Sequence, residues 1–416
     1  MPRTLLRSVN RRFVLTSACA VGALFASLAT LGAGDWPQWR GPNRDGRATD
    51  FKAPQTWPKE LTQKWKVTVG DGVATPALVG DKLFVFTREN NSEVTRCLDA
   101  ASGKEVWADK YEVAFKPTAD AGFPGPRCSP AVAGGKVVTL GVNGTLSCLD
   151  AESGKKLWRV ETKGIPRFHT SSSPVIVDKL VIAQFGGESS GGIAAYELES
   201  GNEKWKWTGD GTAYASPVLM TVDGTQTVIA ETAANVVGLD AAEGKLLWKS
   251  AYPVTGGRGY NSSTPIVEGQ TVIFSGSNRG TRALKIEKKG AEYTAKEVWN
   301  NKEQSALYNT PVLKSGSVFG LTSADSLFCV SAETGKVAWT EPLAGGRGYG
   351  NVVDAGTVLL ALPPNGQLTV FEPSDKEFKK IASYKVGAGK TYAYPIATGN
   401  RIFVKDADSV VLWTVE

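Results

Sequence analysis

A single histidine, His169, occurs in the 416 residues. General-base chemistry of the Ser–His–Asp kind therefore has one candidate base, and the sequence offers it neither a nucleophile nor an orienting acid. Gly187-Glu188-Ser189-Ser190-Gly191 has the spelling of a nucleophile elbow, but that motif works at a strand-to-helix turn, and here it falls in a glycine-rich hairpin. One histidine also excludes HExxH and multi-histidine zinc patterns, so neither a catalytic group nor a metal site is expected. What does recur is a set of arginines, tyrosines and asparagines in short loop-like segments. These hold Arg127, then Arg167-Phe168-His169, Tyr214, Arg258-Gly259-Tyr260-Asn261, Tyr308-Asn309, Arg347-Gly348-Tyr349, and Tyr392 with Tyr394. The pentapeptide Gly-Gly-Arg-Gly-Tyr occurs twice, at 256–260 and 345–349. Brought together, such side chains would grip a planar or carboxylate-bearing ligand through bidentate guanidinium contacts and stacking. The same residues could equally serve to satisfy loop backbone.

The elements that would bring them together are legible as a repeat. Cys97-Leu98-Asp99-Ala100-Ala101-Ser102-Gly103-Lys104-Glu105-Val106-Trp107 returns as a CLDAESGKKLW run ending at Trp158, with weaker echoes ending at Trp205, Trp248, Trp299 and Trp339. A Ser-Pro or Thr-Pro opens most units, with prolines at 76, 130, 174, 217, 265 and 311, and a Tyr-Pro at 395. A period of 40 to 54 residues is that of one four-stranded propeller blade. Within residues 130–160, Lys136–Leu140 is a β-branched run, Asn143-Gly144 a hairpin signal, Thr145–Asp150 a third strand and Lys155–Val160 a fourth. The Asp-to-Gly stretch between the last two is a tight turn, and the tryptophan that follows suits packing between blades. Trp65, Trp107, Trp158, Trp205, Trp248, Trp299 and Trp339 are accordingly read as structural docking residues.

Six such units, a degenerate seventh over 351–384 and a three-stranded eighth ending at Trp413 make eight blades. The count falls to seven if the degenerate unit is not a whole blade. The fold expected is all-β: an eight-bladed propeller of four-stranded antiparallel blades over 61–416. The N-terminal strand at about 63–69 completes the last blade and leaves no open edge. Loops from each fourth strand to the next first strand converge on the channel, so the Arg/Tyr/Asn residues should ring one mouth.

Residues 1–34 read as a signal peptide: Arg3, Arg7, Arg11 and Arg12 precede an apolar stretch from Phe13 to Leu31, with small residues after it. Arg11-Arg12-Phe13-Val14-Leu15 fits a twin-arginine signal and equally an ordinary secretory one. No transmembrane span is expected once it is cleaved. The chain has 47 basic and 41 acidic residues; without the four leader arginines the balance is 43 to 41, too near neutral to favour nucleic acid. Cys97, Cys148 and Cys329 share one repeat position, as buried small residues do, and with Cys128 they imply no disulfide. Residues 35–60 form a Trp-rich extension, in which Trp36 and Trp39 suit a plug over one end of the channel.

The Asp-Ala-x-(Ser/Thr)-Gly-Lys-x-x-Trp turn resembles the tryptophan-docking motif of the pyrroloquinoline-quinone-repeat (PQQ-like) β-propellers, over about 61–416. Asp35-Trp36-Pro37-Gln38-Trp39-Arg40-Gly41-Pro42-Asn43-Arg44-Asp45-Gly46 resembles the opening of exported, planctomycete-type members. The resemblance implies one of two roles. One is a cofactor-free outer-membrane assembly scaffold in the periplasm or envelope, with an envelope or secreted protein as partner. The other is a quinoprotein oxidoreductase of alcohols or sugars holding PQQ and calcium over the axis. The chain departs from the dehydrogenases in lacking an adjacent Cys-Cys pair and large insertions, and from the lipidated scaffold in having Gly34-Asp35 where that has a cysteine. The scaffold role is therefore the leading expectation. PQQ with calcium, a small anionic ligand, or carbohydrate binding through the tyrosines are the alternatives.

Overall fold

The structure, a computed structural model, describes residues 1, 32, 34–114, 123–254 and 260–416. The signal-peptide reading, including Cys19, and the candidate Arg258 lie outside these residues. Every described element is a strand, and no described helix is long and apolar enough to cross a membrane.

Eight sheets of four antiparallel strands follow one another along the chain. The unit that sets the pattern has strands at Ala131–Ala133, Lys136–Leu140, Thr145–Asp150 and Lys156–Glu161. Its first strand is only three residues long, as befits the crowded axis, and its third is almost wholly buried (Leu146, Cys148 and Leu149 at 0% exposure). The degenerate unit is a full blade: Asn351–Ala355, Val358–Leu362, Gln367–Phe371 and Lys380–Lys385 pair in order. In the last blade, Ile396–Thr398, Arg401–Lys405 and Ser409–Thr414 are completed by Thr62–Thr68, one residue earlier than the sequence suggests. That strand runs antiparallel to Ser409–Thr414, with Val67 opposite Val410. The ring is thus closed by main-chain hydrogen bonds between its two ends, and the count is eight.

Each interblade seam follows from the repeated turn. Asp150 Oδ1 accepts hydrogen bonds from the backbone N–H of Ser153 (2.8 Å) and from its hydroxyl (2.6 Å), which tightens the turn and lowers the Asp150 pKa. Gly154 then takes φ 71°, and a Cβ there would lie 2.5 Å from the ring of Trp107 in the preceding blade. The glycine therefore answers two demands, left-handed backbone and a stacked indole. Trp107 Nε1 reaches over this turn to donate to Ala151 O (3.2 Å). The same bond joins Trp65 to Ala100, Trp158 to Leu198, Trp205 to Ala241, Trp299 to Ala332 and Trp339 to Ser374.

Two seams differ. In the fifth blade the turn is replaced by a long hairpin, Gly280–Lys289 with Glu292–Asn301. Trp248, which packs against that blade, finds no acceptor for its indole N–H among the described residues. In the seventh blade the register puts Ala382 at the docking position, and Tyr384, two residues on, donates its hydroxyl to Pro58 O (2.6 Å) in the extension.

A second set of bonds links the blades at the axis. The Ser/Thr-Pro residues form a belt in which the backbone N–H of one blade donates to the hydroxyl of the next. The pairs are Thr75 to Ser129 (3.1 Å), Ser129 to Ser173 (2.9 Å), Ser173 to Ser216 (2.9 Å), Ser216 to Thr264 (3.2 Å) and Thr264 to Thr310 (2.9 Å). Tyr394 N returns to Thr75 (2.9 Å). The seventh blade has no Ser-Pro, so the belt is open between Thr310 and Tyr394.

The extension fills that opening. Its contacts with Gly80 and Gly399, at hairpins between first and second strands, and with Asp354, just before another, put it on the face opposite the interblade loops. From there residues 36–46 enter the channel. Arg40, fully buried, donates to Thr310 O (2.9 Å), Pro311 O (2.8 Å), Asp45 O (3.0 Å) and the Tyr394 hydroxyl (2.5 Å). Arg44 donates to Pro174 O, Ser173 O and Gln38 Oε1. Neither guanidinium has a carboxylate partner among the described residues. Burial, with Arg40 close by, pulls the Arg44 pKa down to about 9, which still leaves it charged at neutral pH. Trp36 is buried and pairs its backbone with Leu78 (2.7 Å and 2.9 Å), while Trp39 Nε1 donates to Thr264 Oγ1 (3.0 Å). One end of the channel is therefore plugged by the chain's own extension.

Candidate functional site

With one end plugged, the channel leaves a cavity of about 260 Å³ lined largely by the interblade loops. Seven of the eight loops each contribute one aromatic ring to its wall: Phe123, Phe168, Tyr214, Tyr260, Tyr308, Tyr349 and Tyr392; Val73 comes from the eighth. Trp39 and Tyr394 form the floor in edge-to-face contact at 4.9 Å.

The wall rings hold one another in two arcs. Phe168, Tyr214 and Tyr260 meet at 4.9 to 5.9 Å between centroids, all edge to face. In the second arc Tyr308 stacks on Tyr349 at 4.5 Å, Tyr349 meets Tyr392 at 5.2 Å, and Tyr392 meets Phe123 at 5.3 Å. Such offset contacts fix ring planes more firmly than loop backbone alone would. The Tyr214 hydroxyl donates to Glu188, whose hairpin is the Gly187–Gly191 segment; burial and this carboxylate push the phenol pKa up.

The turn bearing Arg347 and Tyr349 is pinned by Asp325, whose Oδ1 accepts the backbone N–H of Gly346 (3.0 Å) and that of Arg347. Gly348, at φ 86°, turns its carbonyl to Tyr308 N (3.0 Å) and to Asn309 Nδ2 (3.0 Å). This explains why the pentapeptide carries glycine on both sides of the arginine, though of its other copy only Tyr260 is among the described residues.

The candidate residues thus divide. Arg127, Tyr214, Tyr260, Tyr308, Asn309, Tyr349 and Tyr392 line the cavity. Arg167 and Arg347 are exposed on the rim, Arg167 lying 5.4 Å from the Phe168 centroid. His169 is fully buried at φ 64° and is no wall residue. Asn261 is buried too, its amide bridging Thr232 O (2.7 Å) and Tyr252 O (3.2 Å). Asn309 makes the same kind of bridge, to Leu321 O and Gly348 O. These asparagines clamp loop backbone, so an Asn in such a loop is a weaker pointer to ligand than a Tyr. Sequence reasoning missed Phe123 and the hydroxyls Ser216, Ser262, Thr264 and Thr310 along the cavity. The repeated Ser/Thr-Pro was the available signal for all of these hydroxyls but Ser262, and it reads first as a strand opener.

The four described cysteines are all free and buried, and burial raises their thiol pKa values, to about 12 for Cys97 and Cys148 and about 11 for Cys329.

Calcium takes about six to eight oxygen ligands, carboxylates prominent among them. Among the described residues the cavity wall carries no Asp or Glu, and no three His, Cys, Asp or Glu side chains cluster as a metal site. Among the described residues the wall's one cation is Arg127, whereas a tricarboxylate quinone would call for several. The described donors do not fit PQQ with calcium.

Comparison with known proteins agrees with this architecture. A family profile described as outer membrane protein assembly factor BamB matches residues 45–209 and 90–341. The BamB of Shewanella oneidensis is 24% identical over 302 residues, covering 66% of this chain and 69% of that protein. Quinohemoprotein alcohol dehydrogenase ADH-IIG of Pseudomonas putida is 30% identical over 159 residues, but these are 35% of this chain and only 21% of the enzyme. Among solved structures, BamB from Moraxella catarrhalis superposes with a TM-score of 0.60 at 17% identity, covering 85% of this chain and 99% of that one. The quinohemoprotein alcohol dehydrogenase from Comamonas testosteroni gives 0.67 at 16% identity, covering 93% and 81%. At such identities these two share the fold and no more. By its repeats, its eight closed blades and the span of the profile match, the chain belongs to the PQQ-like β-propeller family, in the group described as outer membrane protein assembly factor BamB.

Proposed function

We propose that this protein is an exported, non-catalytic interaction scaffold of the periplasm or cell envelope, which docks a protein partner on the loop face around the channel mouth. The observation that carries the reading is the make-up of that mouth: fixed aromatic rings, rim arginines Arg167 and Arg347, and a wall that among the described residues holds no acid–base pair and no carboxylate. Aromatic and arginine side chains at a concave, water-excluding centre are what dominates binding energy at protein interfaces. The BamB relatives, named as assembly factors, support the same role. The likeness to alcohol dehydrogenases is one of fold, and its sequence part spans about a third of this chain.

The test is titration of the purified protein with PQQ, with and without calcium, followed by tryptophan fluorescence and by dye-linked oxidation of alcohols and sugars. Neither saturable quenching nor turnover is expected. Micromolar binding with calcium-dependent turnover would replace the scaffold reading by an oxidoreductase.

A further inference from the structure

The interior of the cavity has a chemistry of its own, distinct from the rim. Its two aromatic arcs present apolar faces, while Ser216, Thr264 and Thr310 of the axial belt set hydroxyls around its base. Each of these hydroxyls already accepts a belt N–H, so what it can still offer a guest is its O–H, which a purely apolar guest could not take up. A guest with one flat apolar face and several polar edge groups would match both layers. The electrostatics narrow the class further. Arg40 donates directly to Tyr394 of the floor and to the Thr310 carbonyl, and Arg44 lies in the same plug; both are buried and neither meets a described carboxylate. In a low-dielectric enclosure without a described acid on its wall, this field repels cations and favours an anion.

We infer that the cavity is a binding site for an acidic saccharide, a pyranose ring bearing a carboxylate, whose ring lies between the aromatic arcs with its anion in the field of the plug arginines. Apolar C–H faces stack on the tyrosines, and ring hydroxyls exchange hydrogen bonds with the belt. The open mouth admits the end of a longer chain. This inference does not depend on the protein-docking role, since Arg167 and Arg347 stand outside the cavity.

The experiment is calorimetric titration of the purified protein with digalacturonate and methyl glucuronide, set against methyl glucoside and benzoate. Uronides should bind saturably, about tenfold or more tighter than the neutral glycoside, and weaken with added salt. Tyr260→Ala with Tyr349→Ala should lose about tenfold or more in uronide affinity, and Tyr260→Phe with Tyr349→Phe should keep most of it. The contrast between methyl glucuronide and methyl glucoside on the unaltered protein tests the charge even if the alanine pair fails to fold. Equal binding of neutral and acidic sugars, binding of benzoate alone, or no heat from either uronide would each overturn the assignment.

Discussion

Two tryptophans at the same repeat position allow the docking bond to be weighed in place. Trp299 donates to Ala332 O at 2.8 Å, whereas Trp248 is buried with no acceptor for its N–H. Trp299→Phe should therefore cost about 1 kcal/mol more than Trp248→Phe, read as the difference in urea-unfolding midpoints. Equal costs would mean that packing alone holds the seams. Glu231 is a second informative residue: it is fully buried, and neither carboxylate oxygen has a hydrogen-bond partner among the described residues. Burial pushes its pKa well above 4.5, only partly opposed by Arg279. A carboxyl with a raised folded pKa stabilises fully below its unfolded value, and the contribution fades as pH rises toward the folded one. Stability should thus decline with pH above about 4.5, and Glu231→Gln should flatten that slope in thermal melts across pH 4 to 9. Neither residue's position was readable beforehand: the sequence marks Trp248 as one docking residue among seven, because the hairpin that removes its acceptor belongs to the next blade.

At the level of elements, the Asp-to-Gly turn connects sequence to assembly. Gly154 and Gly134 both have positive φ (71° and 56°), yet a Cβ at 154 would strike Trp107 at 2.5 Å while one at 134 would meet nothing within 4 Å. Gly134→Ala should cost about 1 kcal/mol, from backbone strain alone. Gly154→Ala should cost at least about 1 kcal/mol more, because the indole it displaces seals the seam. Chemical denaturation of both variants checks this. The turn was legible because Asp, Gly and Trp recur at fixed spacing, and the strands around it because β-branched runs alternate with turn residues. Boundaries slipped by a residue, as at Thr62–Thr68, since nothing local distinguishes the first bonded residue of an edge strand. The aromatic wall was legible only in part. Tyr214, Tyr308 and Tyr392 stand three residues before a Pro, but Phe123 and Phe168 come from longer loops with no fixed offset.

For the whole molecule, the extension is a structural part of the ring. Arg40 donates to the carbonyls of Thr310 and Pro311 at the gap left by the seventh blade and to those of Asp45 and Arg44 in its own extension. Arg40→Met should destabilise the propeller by about 3 kcal/mol or more, since several buried carbonyls lose their donor together; a change near zero would show that the plug is dispensable. Composition and periodicity carried the fold, but a buried arginine without an acid reads in sequence as a surface charge, and only the closed ring reveals what it holds.

The most direct test of the scaffold role is site-specific photo-crosslinking in the native cell envelope. A photoreactive side chain would replace Arg347 on the loop face or, as control, the exposed Val106 on an outer strand. The expected result is a discrete adduct with one envelope protein from position 347 and none from 106. Adducts of equal yield from both positions, or none from 347, would contradict a partner docked at the channel mouth.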